Sequence, residues 1–146
     1  MNHFTRALVC FAASCSLVCT LKQVAKGQAP TRIQPKIEIT DVPSADCGGP
    51  VKTELIAGKV TIASGEGYRV VIYSQACDGV LYVQPTVMAP LTSIDSRGSF
   101  DAYIHLGQTY YVLLVKPDFK PKPQITDIPE RGGSIISVVS VRGKKN

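Results

Sequence analysis

Residues 69–85, RVVIYSQACDGVLYVQP, carry the clearest β pattern in this chain of 146 residues. Residues 70–73 are β-branched or aromatic, residues 77–79 read Cys-Asp-Gly, and residues 80–83 are apolar again and stop shortly before a proline. β-Branched and aromatic side chains favour strands, whereas an Asp-Gly pair favours a turn. The stretch therefore predicts a central antiparallel β-hairpin.

Short strand patterns closed by turn residues continue outward from this hairpin. Residues 36–40 alternate polar and apolar, which should place Ile37 and Ile39 on an inner face. Turn residues fill 44–50. The further strand patterns lie at 55–56 and 59–62 on either side of Gly58, at 91–94, 99–106, 109–115 and 134–141, with a tight loop at 64–67 and a proline-rich loop at 117–133.

The spacing of these patterns indicates the fold class. Outside the apolar run at residues 7–21, no segment shows the roughly 3.6-residue period of an amphipathic helix. Strands separated by turn signals at short intervals are typical of sandwiches. We therefore expect an all-β protein, a single antiparallel β-sandwich of the immunoglobulin-like type with about seven or eight strands.

Two neighbouring strand patterns differ in how they should be buried. In residues 99–106 the alternation places Phe100, Ala102, Ile104 and Leu106 on the core face, and Asp101, Tyr103 and His105 on the other. Residues 109–115, TYYVLLV, are continuously apolar, as expected of a strand covered on both faces. Gly107 and Gln108 between them predict a two-residue turn.

The first 27 residues have the layout of a secretory signal peptide. A single positive charge at Arg6 precedes the apolar or small run at residues 7–21, and a short polar exit ends at Gly27. The run is shorter than the roughly 20 residues of a membrane span, so we favour cleavage after Gly27 over anchoring. Lipid attachment at Cys15 is an alternative.

Cleavage there divides the chain into a leader at 1–27, an extended arm at 28–35, a β-sandwich domain at 36–142 and a charged tail at 143–146. We therefore expect a secreted or periplasmic protein, monomeric and without a membrane span after cleavage. The full chain has a formal charge of +5, but Arg6, Lys22 and Lys26 would leave with the leader. The remaining 13 basic and 11 acidic residues predict an ordinary surface and no nucleic-acid site.

Two cysteines, Cys47 and Cys77, remain after the leader is removed. Because an exported protein meets an oxidising compartment, we expect a disulfide between them, joining the loop before the second strand to the turn of the central hairpin. A reactive thiol is the weaker alternative, since no base is spaced near either cysteine.

The remaining chain offers little for catalysis or metal binding. His105 is its only histidine, which excludes His-rich and Cys/His metal sites, and no Gly-x-Ser-x-Gly motif accompanies it. His105 is therefore expected to be an exposed or hydrogen-bonded strand residue. Asp95 with Asp101 as a glycosidase pair, or a calcium site around Asp95 or Asp78, are alternatives with little support. We expect no enzyme activity, no cofactor and no metal.

A ligand site is predicted from strand alternation. With Leu81 and Val83 pointing to the core, Tyr82 and Gln84 should face the opposite way. If this strand and residues 99–106 shared one sheet, an outer patch of little charge would suit a neutral ligand such as an oligosaccharide. Its predicted ligand-binding residues are Tyr82, Gln84, Tyr103 and His105. Tyr73 and Tyr110 are further candidates, with half-buried structural tyrosines as the alternative.

Six short segments form a recognisable combination: 58–60 (GKV), 68–73 (YRVVIY), 81–85 (LYVQP), 92–95 (TSID), 98–100 (GSF) and 107–110 (GQTY). Together they resemble a small secreted bacterial β-sandwich module, found alone or appended to polysaccharide-processing enzymes such as glycoside hydrolases. The resemblance covers about residues 36–142 and includes the turn at 129–133 before the last strand. It implies a non-catalytic accessory or cell-surface module, without assigning binding residues.

The sequence therefore favours a non-catalytic exported binding or adhesion module. Its expected partner is an extracellular polysaccharide or a cell-surface protein. The alternative is a purely structural or protein-interaction domain without a small ligand, and a small hydrolase is less favoured than either.

Overall fold

In the computed structural model, residues 35–61 and 67–145 are described. These ranges contain no helix, and so none long and apolar enough to cross a bilayer. The predicted leader, most of the predicted arm and most of the loop at 64–67 lie outside them. The strands are β1 (Lys36–Asp41), β2 (Thr53–Thr61), β3 (Arg69–Gln75), β4 (Leu81–Gln84), β5 (Ser99–His105), β6 (Thr109–Val115), β7 (Gln124–Ile125) and β8 (Ile135–Arg142).

The strands form two antiparallel sheets that pack together, which confirms the predicted β-sandwich. The smaller sheet has the order β1-β2-β5, and the larger has the order β7-β4-β3-β6-β8. The predicted central hairpin is β3–β4, in register from Ile72 opposite Gln84 to Gln75 opposite Leu81.

Strand β6 lies between β3 and β8 and is buried on both faces, as its continuous apolar sequence predicted. Tyr110, Val112 and Leu114 belong to the core between the two sheets. Leu113 and Val115 point the other way, into a second apolar cluster on the outer face of the larger sheet.

The segment between β6 and β8 covers this outer cluster. Phe119, Ile125 and Ile128 from that segment pack against it, and β7 pairs with β4. The sequence predicted only a proline-rich loop here. The structure shows that this stretch also supplies an edge strand, β7. Leu81 and Val83 are buried as predicted, but in the outer cluster and not between the sheets.

The predicted two-residue turn at Gly107 and Gln108 is wrong as a hairpin turn. Strand β5 pairs with β2, whereas β6 pairs with β3 and β8, so the chain crosses here from one sheet to the other. The Gln108 amide donates to the carbonyl oxygen of Gln75 at 2.7 Å. A Cβ at Gly107 would overlap Ser74 Oγ and that carbonyl oxygen, so the close approach requires glycine.

Two strand boundaries also differ from the sequence prediction. Strand β2 continues through Gly58 instead of breaking there, because Gly58 lies beneath the Phe100 ring, where a Cβ would overlap both the ring and the Glu38 carbonyl oxygen. Residues 91–94 do not form a strand. Within them, Thr92 alone pairs with the larger sheet, through two backbone hydrogen bonds to Val70.

The predicted disulfide between Cys47 and Cys77 is present, with a Cα–Cα distance of 4.7 Å. The Cys77 amide also donates to the Cys47 carbonyl oxygen at 3.2 Å. The bond joins the segment before β2 to the turn of the central hairpin. It therefore links a connection that enters the smaller sheet to a turn of the larger sheet.

Replacing Gly58 with alanine should destabilise the domain by about 2 kcal/mol, because the added methyl group must displace the Phe100 ring in a packed core. Urea unfolding of the oxidised protein measures the change. The exposed neighbour Lys59 provides the control, and its alanine variant should stay within about 0.5 kcal/mol of the wild type. Equal midpoints for the two variants would contradict the packing described.

Replacing Cys47 and Cys77 together with serine should lower the free energy of unfolding by about 3 kcal/mol, because the bond closes a loop with a sequence separation of 30 residues. Denaturant unfolding measures it, and reduced wild-type protein should match the double variant. If reduction leaves the unfolding midpoint unchanged, the bond contributes no stability.

Candidate functional site

A cavity of about 600 Å³ opens at the side of the sandwich where β4 and the end of β5 come together. We call it the edge cavity. Its walls are Ser74 and Ala76 at the end of β3, the inner side of β4, and the end of β5 with Leu106. Residues 47–50 and 85–87, together with Val83 and Pro123, complete its rim.

The edge cavity exists because the two sheets differ in width. Across the gap between them, β5 lies against β3, and β1 lies against β6 and β8. The inner face of β4 therefore has no strand of the smaller sheet opposite it. Tyr82 and Gln84 occupy this inner face, because they pair with Ser74 and Ile72, and Ile72 belongs to the core between the sheets.

Gln84 ties the two sheets together at the floor of the cavity. Its side chain is 3% exposed, and its Oε1 accepts a hydrogen bond from the His105 backbone N–H at 3.0 Å. Its Nε2 donates to the Tyr82 carbonyl oxygen at 3.4 Å, a longer and weaker contact. The carboxamide thus occupies the place where a neighbouring strand would pair with His105.

Tyr82 stands at the mouth of the cavity and is 40% exposed. Its hydroxyl lies 3.4 Å from Asp78 Oδ2, at the long end of hydrogen-bond distances. An aromatic ring that is half exposed beside a cavity has an apolar face available for a ligand.

Two polar side chains in the cavity wall have a buried atom without a hydrogen-bond partner. They are Ser74, through Oγ, and His105, through Nδ1. The sequence predicted an exposed or hydrogen-bonded His105; it is half-buried, and its backbone rather than its imidazole bonds to Gln84. Unpaired buried polar atoms are uncommon, and in this protein two of them adjoin one cavity.

Tyr103 is not part of this site. It is 68% exposed on β5, in the smaller sheet, whereas Tyr82 lies on β4 in the larger one. The single-sheet arrangement that would have joined all four predicted residues is therefore wrong. The structure brings Tyr82, Gln84 and His105 together across the gap between the sheets.

Residues in irregular segments complete the site, and strand alternation could not find them. Pro50 precedes β2, while Pro85, Thr86 and Val87 follow β4. A weak signal for Val87 existed in the sequence, because Val87 and Met88 are consecutive apolar residues in a link, and both are exposed, by 59% and 93%.

Tyr73 and Tyr110 are structural residues rather than ligand contacts. Both are buried, and their hydroxyl groups donate to the carbonyl oxygens of Lys122 at 3.0 Å and Ser44 at 2.6 Å. The Tyr110 hydroxyl also accepts the Gly107 N–H at 3.1 Å. Burial raises the pKa of both phenols, so the folded protein favours their protonated form.

No lysine, arginine, aspartate or glutamate side chain lines the edge cavity. The described ranges also contain no group of three or more side chains arranged to hold a metal ion. Asp95, a candidate in the sequence, instead holds a turn, since its Oδ1 accepts the backbone N–H groups of Arg97 and Ser99. The Ser99 N–H and Arg97 lower the pKa of this exposed carboxyl.

Replacing Tyr110 with phenylalanine should cost about 2 kcal/mol of stability, because the Gly107 N–H and the Ser44 carbonyl oxygen would lose their partner. Urea unfolding near neutral pH measures this. Tyr111, which is half-buried, supplies the matched control, and its phenylalanine variant should change stability by less than about 0.5 kcal/mol. Similar losses for both variants would show that the Tyr110 hydroxyl has no special role.

The raised pKa of Tyr110 adds a pH dependence with a defined sign. Its contribution is complete below the ordinary tyrosine pKa of about 10 and is lost as the pH rises through the raised value. The wild type should therefore lose more stability than the phenylalanine variant above about pH 10.

Comparison of the chain with protein-family models, with curated proteins and with solved structures finds no match. The geometry of the edge cavity is therefore the basis for a functional conclusion.

Proposed function

We propose that the protein is a non-catalytic exported binding module whose ligand site is the edge cavity. The observation that carries the proposal is an open space of about 600 Å³ with an uncharged wall, beside a half-exposed aromatic ring. Ligand pockets in proteins fall within this range of volumes and combine apolar walls with a few polar groups.

The chemistry of the wall supports an uncharged ligand. A carboxylate or phosphate entering the cavity would lose hydration without meeting a lysine or arginine side chain, which is unfavourable. The walls contributed by Pro50, Val87 and Leu106 favour a ligand with apolar surface. An extracellular polysaccharide is one such ligand, since sugar rings present apolar faces, and Tyr82 is the side chain that would contact one.

The side chains around the cavity support binding rather than catalysis. A serine nucleophile needs a base within hydrogen-bond distance, but Ser74 Oγ and His105 Nδ1 have no hydrogen bond to each other or to another group.

The Cys47–Cys77 disulfide is compatible with an oxidising compartment, and the proposal includes a location outside the cytoplasm, secreted or periplasmic.

A protein-interaction role is the second candidate, and a specific observation favours it. Val87 and Met88 expose apolar side chains next to the cavity, and Val51 is 90% exposed beside Pro50 of its rim. Neighbouring exposed apolar groups of this kind often mark sites where partner proteins dock.

An NMR titration of isotope-labelled protein tests the proposal. The added compounds are neutral oligosaccharides and small uncharged aromatic compounds. We expect shifts to concentrate on Tyr82, Gln84 and His105. Replacing Val87 with aspartate should weaken binding by about tenfold, because a charge at the cavity mouth must be desolvated when a neutral ligand enters.

Met88 supplies the control for this test. It adjoins Val87 but does not line the cavity, so its aspartate variant should keep the wild-type affinity within about twofold. If every compound leaves the cavity resonances unmoved, or if both aspartate variants bind like the wild type, the edge cavity is not a site for small neutral ligands.

A further inference from the structure

The smaller sheet ends at β5, one strand short of covering β4. In the part of the chain that the structure describes, no strand pairs with the outer edge of β5. The space beside that edge and above the inner face of β4 is occupied in part by the edge cavity, since His105 of β5 and Tyr82 of β4 both line it. The cavity thus has the position that a fourth strand of the smaller sheet would take.

The direction of the backbone groups of β5 follows from three hydrogen bonds. The Leu106 N–H points toward the β2 side, where it donates to Lys52 O. The His105 N–H donates away from β2 to Gln84, and the Ser99 carbonyl oxygen accepts from the Asp95 N–H at the same outer edge. Because directions alternate along an antiparallel strand, the odd-numbered residues of β5 direct their N–H and C=O groups outward.

Both ends of this outer edge are already satisfied. At the start, Asp95 accepts the Ser99 N–H and donates to its carbonyl oxygen. At the end, the Gln84 carboxamide accepts the His105 N–H. Between them, the N–H and C=O groups of Asp101 and Tyr103 have no strand partner at this edge and no hydrogen bond among the described residues. Such a row of unpaired groups is a template for strand addition.

We propose that an extended peptide segment of a partner protein adds to β5 as this fourth strand, pairing with Asp101 and Tyr103 and placing an uncharged apolar side chain in the edge cavity. The proposal rests on the proposed binding function of the cavity and names its partner. Added strands of this kind gain affinity from main-chain hydrogen bonds and specificity from alternate side chains held in pockets.

Side chains of the added strand would alternate between its two faces, and this alternation would place one of them in the edge cavity. Side chains of the added strand on the same face as Ala102 and Ile104 would point into the gap between the sheets, over Tyr82 and Gln84. The carbonyl oxygen of the added strand can replace the Gln84 carboxamide at the His105 N–H. An apolar side chain matches the uncharged wall of the cavity.

A partner peptide fits better than a second copy joined through the same strand. The inward side chains of β5 that a second copy would offer, Phe100 and Ile104, are 2% and 0% exposed and belong to its own core. The side chains of Asp101 and Tyr103 lie on the opposite, solvent-facing side of the sheet. A pair of β5 edges would therefore leave the cavities without an apolar side chain.

Selection from a displayed library of random peptides, followed by amide hydrogen exchange on the complex, tests this inference. We expect enriched peptides to contain alternating apolar residues and to slow exchange of the Asp101 and Tyr103 amides by about tenfold or more. The Ala102 and Ile104 amides point toward β2 and serve as internal controls, since their protection should change little.

The Tyr103→Pro variant distinguishes the contribution of the β5 edge to peptide binding from that of the cavity. Proline lacks the outward N–H and costs no bond to β2, so this edge strand should tolerate it, yet peptide affinity should fall by about tenfold. Tyr103→Ala, which keeps the N–H, should retain affinity within about threefold. If the proline variant does not fold, the exchange result on the wild type decides.

Three results would overturn the inference: no enriched peptide, peptides that bind the proline variant as well as the wild type, or protection of Asp101 and Tyr103 by concentration-dependent dimers of the protein itself. If no peptide is enriched but a neutral oligosaccharide binds in the cavity of both the wild type and the Tyr103→Pro variant, the peptide is rejected and the proposed binding function is retained. If neither an oligosaccharide nor a peptide binds in the cavity, both the partner peptide and the proposed binding function are rejected.

Discussion

The pairing of β3 with β6 is the constraint on which the rest of the structure depends, because this pair is apolar on both faces. Val70, Ile72 and Leu114 need cover on one side, and Val71 and Leu113 need cover on the other. Burying a single side of such a pair would leave several large side chains in water, at about 2 kcal/mol each. The smaller sheet covers one face, and the segment between β6 and β8 covers the other. The domain therefore has two apolar clusters and, in effect, three layers.

Much of this fold could be predicted from the sequence where local chemistry determines structure. Alternation in residues 99–106, the turn at 77–79 and the continuous apolar run at 109–115 each correspond to an observed element. The disulfide was predicted from the expected compartment and the cysteine count, and it is present. What could not be predicted is which sheet a strand joins. Gly107 looks like a hairpin turn in sequence, but the close approach of its backbone to Gln75 makes it a crossing between sheets.

The same limit explains the outcome for the site. Period-two alternation correctly separates Leu81 and Val83 from Tyr82 and Gln84, but it does not say which face of a sheet is the inner one. In this sheet both faces are covered, so the apolar pair turned outward and the polar pair turned inward. Tyr82, Gln84 and His105 came together across two sheets, and Tyr103 stayed apart. Pro50 and Val87 carry no periodic signal, because they lie in connections whose path depends on the assembled sandwich.

The covering segment between β6 and β8 has a consequence for how related chains can vary. Its proline-rich composition resembles that of a linker, which usually tolerates shortening, yet it holds its place through backbone contacts: Lys122 O accepts the Tyr73 hydroxyl, and Pro123 O accepts the Val83 N–H. A descendant that lost this segment would expose Leu81, Val83 and Leu113 at the same time. Deletion there and polar replacement of those buried side chains must therefore evolve together, so that the length of an apparent loop is coupled to the composition of strands far away in sequence.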